Sequence, residues 1–187
     1  MNSQHVTGFV EDMIIENGDL CIRNAEADDC PQLAKWWNDG SVMAHAGFPN
    51  GLGTTAEHIQ EQIAQDSDST KRRLIILYKG LAIGEMSYYN LGKHIAEIGV
   101  KICNTDYQEK GLGRVVLSML IKELFSIGYM KIILDTNLKN TRAQHVYELL
   151  GFRKVRVREN AWTNQLGELQ SSVDYELVPE KFIYIGL

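Results

Sequence analysis

The chain has 187 residues, 44% hydrophobic and 23% charged, with a formal net charge of -5. That size suits a single globular domain, expected to span 1–187, with a substantial core. The acidic balance argues against nucleic acid as the main partner, because no surplus of cations is available to neutralise phosphate. No apolar run approaches the roughly 18 residues that cross a bilayer.

Residues 1–18 are weakly patterned and lack the basic-then-apolar order of a signal peptide; they read as an arm or an extra strand. LCIRNA (20–25) reads as a short strand. Asp28 or Asp29 then stands where a helix cap belongs, before Pro31 and LAKWWND. A glycine-rich loop, GFPNGLGT, leads to Thr54 or Thr55, which opens a helix over AEHIQEQIAQ; the polar run DSDST ends it. RRLIILYKG (72–80), LAIGEMSYYN (81–90) and IAEIGVKIC (95–103) read as an antiparallel meander turning at Lys79-Gly80 and at Asn90 to Lys93. Gly99 within the last of these marks either a bulge or plain packing.

The run from Gly113, GRVVLSMLIKELFSIG, repeats its apolar residues at three and four and predicts an amphipathic helix. KIILDT (131–136) is a strand that must cross back over that helix, which predicts a parallel β–α–β unit. NTRAQHVYELLG (140–151) is a helix capped by Asn140 and stopped by Gly151. FRKVRVRE and SSVDYEL close the chain as strands joined by a long polar segment around Trp162.

Cys21, Cys30 and Cys103 are odd in number and show no CxxC spacing, so neither a disulfide framework nor a zinc site is expected. A reducing, cytoplasmic setting is the default. The histidines show no metal spacing, and no metal is expected. A cysteine nucleophile at Cys103 has no histidine near it in sequence, and a buried structural thiol is the commoner case.

The chemistry gathers at DYQEKGLGR (106–114), where a strand becomes a helix. A helix N-terminus has unpaired N–H groups and favours phosphate, and glycine lets a ligand approach the backbone closely. GxxxxGK[ST] is absent. The dinucleotide GxGxxG lacks its third small residue, although Asp135 mimics its ribose-binding acid; NTDYQEK also separates the glycines from their strand.

Gln108-Glu109-Lys110-Gly111-Leu112-Gly113 instead resembles the Gln/Arg-x-x-Gly-x-Gly/Ala signature of the GNAT superfamily of N-acetyltransferases. Asn140-x-x-Ala143-x-x-x-Tyr147 with Leu150-Gly151-Phe152 resembles the next block of that family. The order of elements from about residue 19 to 178 agrees. WWNDGSVMAHAG resembles the branch holding ribosomal-protein N-terminal and spermidine acetyltransferases.

The resemblance implies an α/β (α+β) fold. Its mixed, mostly antiparallel sheet of six to seven strands carries helices on both faces and splays between the fourth and fifth strands, 95–103 and 131–136. It implies acetyl-coenzyme A as cosubstrate. The backbone of Lys101, Ile102 and Cys103 would hold the pantetheine arm, and the backbone of Gln108, Glu109, Lys110, Gly111, Leu112, Gly113 and Arg114 the diphosphate, with Asn140 against the arm. Tyr147 would protonate the departing thiolate, and a strand N–H, that of Lys101, would steady the oxyanion.

A primary amine is protonated at neutral pH and needs a proton acceptor; Glu97, a carboxylate in mid-strand, is the candidate, directly or through water. Each assignment has a bland counterpart: Glu97 a solvated face or ion pair, Tyr147 a core ring on the 143, 146, 147, 150 face. His145 should face outward, and Trp36-Trp37 reads as core with one partly exposed ring. Glu85, Glu97, Glu159 and Glu168 could form a cationic-amine site. The acceptor is expected to be a small amine or polyamine ahead of a protein N-terminus. A non-catalytic acetyl-coenzyme A sensor and, more remotely, a nicotinamide-dependent oxidoreductase are the alternatives; homodimerisation stays open.

Overall fold

The computed structural model describes residues 13–186. Its centre is one eight-stranded sheet in the order β1-β2-β3-β4-β5-β6-β8-β7. The strands are β1 Ile14–Asn17, β2 Leu20–Asn24, β3 Lys71–Tyr78, β4 Leu81–Asn90, β5 Ile95–Ile102, β6 Lys131–Asn137, β7 Arg153–Thr163 and β8 Leu169–Leu177. The expected extra strand therefore exists as β1, paired antiparallel with β2; the rest of the expected N-terminal arm, residues 1–12, lies outside the described residues. With β1 counted, the strands expected as fourth and fifth become β5 and β6, and the sheet has one strand more than expected.

Every pairing is antiparallel except β5 with β6. The parallel pair is joined by α4, Leu112–Ser126, as a crossover of that length requires. α4 buries Val116, Leu120, Ile121 and Leu124 completely against the sheet. Each such side chain contributes about 1.5–3 kcal/mol by leaving water. The C-terminal tail covers the outer side of α4, where the Ile185 N–H donates to the buried Ser118 hydroxyl at 2.9 Å. α5, Thr141–Leu149, adds Tyr147, and Leu150 follows it into the same core.

The other face of the sheet carries a smaller core. There α1, Cys30–Trp37, and α3, Ala56–Ile63, pack Leu33, Trp36 and Ile59 against Ile75 and Cys103. Thr55 caps α3 by accepting from the His58 N–H. Asp29 stands at the α1 cap position, but its carboxylate is used elsewhere, by Arg23 and by the Glu26 N–H. A short helix, α2 Gly40–Met43, lies between α1 and the glycine-rich loop.

The segment around Trp162 corrects the expectation of a long polar connection. β7 runs on to Thr163 and turns over residues 164–168 into β8. Irregularities in register at Lys154/Arg156 and Arg158/Trp162 let that strand keep pairing. The hairpin tip is stapled to the stretch after α2: the Gln165 N–H donates to Gly47 O at 2.8 Å, and the Asn50 N–H to Gln165 Oε1 at 2.8 Å. No helix among the described residues is long and apolar enough to cross a membrane.

Candidate functional site

The register of β5 and β6 runs from Ile95↔Lys131 to Glu97↔Ile133 and stops, although both strands continue. Beyond that point the sheet is split. Gly99 is not the cause: it sits opposite Ser87 in an unbroken register, so no bulge forms there. The close approach is at Gly84, where a Cβ would lie 2.3 Å from the Lys101 carbonyl oxygen. The missing side chain lets the end of β5 approach β4 closely, in the stretch where β5 no longer pairs with β6.

Strand alternation decides which backbone groups face the split. The Cys103 N–H donates to Ile83 O at 2.9 Å, toward β4. Successive residues point their N–H and C=O to opposite sides, so Lys101 also faces β4, while Val100 and Ile102 face the split. This corrects the expectation for the backbone of Lys101 and Cys103 and moves the candidate oxyanion donor from Lys101 to Val100. Ile102 keeps its place, and its carbonyl accepts from Gln108 Nε2 at 2.9 Å.

The split opens into a cleft of about 750 Å³ bounded by α4, α5, β6, the α2 region and Trp162. At one end is the start of α4. Gly111 precedes it with φ 76°, a left-handed conformation suited to glycine, and no side chain caps the helix. A Cβ on Gly111 would press to 3.3 Å from the Arg114 guanidinium. Gly113 lines the cleft and has open space before it, since a Cβ there would meet nothing within 4 Å. Among the described residues the N–H groups from Glu109 to Arg114 donate to no backbone acceptor. The Glu109 side chain turns out to Arg142 at 3.0 Å, and Lys110 lies over the Tyr107 ring. Lys139 and Arg142, which sequence reasoning missed, add positive charge to the cleft wall.

Asn140 caps α5 by accepting from the Ala143 N–H at 3.2 Å and donates to Thr136 Oγ1 at 3.3 Å. It lines the cleft, but its amide is held by the protein. Tyr147 lies two turns further along. Its ring packs on Phe152 and Tyr175, and its hydroxyl bonds no protein group among the described residues. Burial, then the charge of Asp135, pushes that hydroxyl up to about 12. It therefore stays protonated at neutral pH, as a proton donor must. His145 is exposed, as its helical position predicts.

Glu97 is half-buried at the last paired position before the split. It has no ion-pair partner among the described residues. Burial and then the charge of Asp135 hold its carboxyl above the ordinary range, partly offset by Arg158. Asp135 itself lines the cleft and is held by Arg158 Nη2 at 3.0 Å. In the sequence it looked like a decoy ribose-binding acid. The sheet register puts Glu97 opposite Ile133, and alternation along β6 then sets Asp135 on the same face as Glu97.

A second cavity of about 650 Å³ lies on the α1/α3 face and shares Gly99, Val100 and Lys101 with the cleft. Glu85 is fixed in it by the Trp37 indole, which donates to both carboxylate oxygens at 2.9 Å, and by Lys101 Nζ at 3.4 Å. Of the four glutamates considered for an amine site, Glu85 lines this cavity, while Glu168 accepts from Asn164 in the hairpin turn. Trp36 is buried, and Trp37 is the partly exposed ring. Cys103 is buried, with its thiol pushed up by desolvation, which disfavours a thiolate nucleophile.

Comparison with known proteins gives one consistent picture. Residues 19–153 match the family model described as the acetyltransferase (GNAT) domain. A stretch of 62 residues is 37% identical to the ribosomal protein bS18-alanine N-acetyltransferase of Salmonella typhimurium, covering 33% of this chain and 42% of that one. The chain thus matches less than half the length of that curated relative. The fold superposes on spermidine N-acetyltransferase from Vibrio cholerae, in complex with CoA and spermine, with a TM-score of 0.77 and 21% identity over 88% of this chain and 98% of that one. It superposes on ribosomal-protein-S5-alanine acetyltransferase from Vibrio fischeri with a TM-score of 0.78 and 17% identity over 92% of this chain and 100% of that one.

Proposed function

The chain belongs to the GNAT acetyltransferase family, and from that premise we propose that it moves an acetyl group from acetyl-coenzyme A to a primary amine by direct attack in a ternary complex. One observation carries the reading: an unpaired strand edge and an uncapped helix N-terminus open into the same cleft. An edge with free amides suits the pantetheine chain, and a helix start with open space before Gly113 suits a diphosphate. Two of the similar proteins are named for amine acceptors, a ribosomal-protein alanine and spermidine.

In this reading acetyl-coenzyme A supplies the activated thioester. Val100 and Ile102 bind its arm through the backbone, and residues 109–114 bind its diphosphate; the Gln108 N–H, expected to join them, donates to Thr105 O instead. The Val100 N–H, facing the split, steadies the negative charge that develops on the carbonyl oxygen. Glu97, backed by Asp135, receives the proton of the incoming amine directly or through water. Tyr147, with a free hydroxyl in the cleft, gives a proton to the departing sulfur. The whole of 1–187 acts as one domain, and the unpaired cysteines fit a reducing cytoplasm.

The test is a panel of primary amines mixed with acetyl-coenzyme A, read by thiol release and by mass spectrometry of the acetylated product. Amine-dependent thiol release is expected. Its absence with every amine, or oxidation of NADH instead, overturns the proposal.

A further inference from the structure

We propose that the acceptor is a small primary amine bearing an oxyanion, a carboxylate or a phosphate, rather than a polyamine. The inference rests on the acetyl-transfer reading and deepens it. Its ground is the second cavity, which meets the cleft at Gly99, Val100 and Lys101. A molecule in that cavity reaches the thioester from the face opposite α4.

The sheet register lays the cavity floor in rows across β3, β4 and β5. Arg73 lies opposite Ser87 and Ser87 opposite Gly99; Lys71 lies opposite Tyr89 and Tyr89 opposite Glu97. Gly99 puts no side chain over the row where it reaches the split, so an amine can rest there beside Glu97. Strands stand about 4.8 Å apart, so the far wall at β3 is roughly 10 Å from that edge. The span suits a small bifunctional molecule.

The charges of the wall decide what its other end carries. Lys71, Arg73 and Lys101 line the cavity against one carboxylate, that of Glu85. Lys101 meets Glu85 at 3.4 Å, and Arg73 is paired with Asp66 outside the lining and donates to Gln62, which lines the cavity beside it. Lys71 has no carboxylate partner among the described residues; its ammonium stands 4.5 Å over the Tyr89 ring, one strand from the edge. A polyamine would set its second ammonium against Lys71, and like charges in a partly dry cavity repel. An oxyanion there gains a charge-assisted hydrogen bond. The side chain of Lys71 thus selects for an anion near the amine.

The experiment measures kcat/KM by thiol release for matched amines: amino carboxylates, amino phosphates, uncharged monoamines of equal length, spermidine and a short peptide with a free N-terminus. An anionic amine should exceed its uncharged counterpart by about tenfold or more, with spermidine below both. The carboxylate and phosphate arms tell which oxyanion is preferred. In Lys71→Met the advantage should vanish through KM, with kcat and the KM for acetyl-coenzyme A unchanged, and Lys71→Arg should retain it. Spermidine or the peptide as best acceptor, or an advantage that survives Lys71→Met, overturns the proposal while leaving acetyl transfer standing. If no amine releases thiol and coenzyme A gives no thermal protection, both fall.

Discussion

Tyr147 combines a free hydroxyl, a place in the cleft and an environment that keeps it protonated. Tyr147→Phe retains the ring packing on Phe152 and Tyr175. Turnover should therefore fall by about 10²-fold, in the range for a lost proton donor, with the KM for acetyl-coenzyme A little changed; steady-state kinetics would show it, and unchanged turnover would remove Tyr147 from the chemistry. Glu97 carries a pH signature. Its folded carboxyl holds its proton more tightly than in the unfolded chain. The stability it contributes is thus present below the unfolded value and declines as pH rises through the raised folded value. Glu97→Gln should leave the melting temperature unchanged at acid pH and raise it above that window. The same variant should lose turnover at neutral pH and recover toward the pKa of the amine; a pH-independent loss would argue for a positioning role.

Among the elements, β5 controls the site, and its path depends on β4. Gly84 lets the two strands close up where β5 and β6 part. Gly84→Ala would force a Cβ onto the Lys101 carbonyl, at a cost of about 1–3 kcal/mol. The strand should move back toward β6, so the KM for acetyl-coenzyme A should rise along with the loss of thermal stability. A stability loss with KM unchanged would show that the split is set elsewhere. The β7–β8 hairpin plays the matching part on the other side, bringing Trp162 against Gly47 and into the cleft wall.

For the whole molecule, the split leaves two halves of one sheet that a ligand seated between them would join. Coenzyme A at about 100 times its dissociation constant should stabilise the fold by about 2.7 kcal/mol. Hydrogen exchange should slow chiefly in residues 98–102 and 108–114 and at the start of α5. Protection elsewhere, with these segments unchanged, would displace the ligand from this cleft.

Much of this was legible along the chain, because the signals are local. The three-and-four repeat of α4, the glycine pair before it, the Asn140 cap and the block ending at Tyr147 each lie within one element and its immediate neighbours. These determined the β–α–β unit, the glycine-led helix start and the family. Tertiary structure alone decided that Val100 and Ile102, and not Lys101 and Cys103, face the split, because β5 takes its hydrogen-bonding parity from its register with β4. It also decided that Asp135 stands beside Glu97, and that Trp37, Glu85 and Lys101 close around one cavity. Those groups meet across strands and helices far apart in the chain, where no periodicity within a single element can say which neighbours a side chain will have.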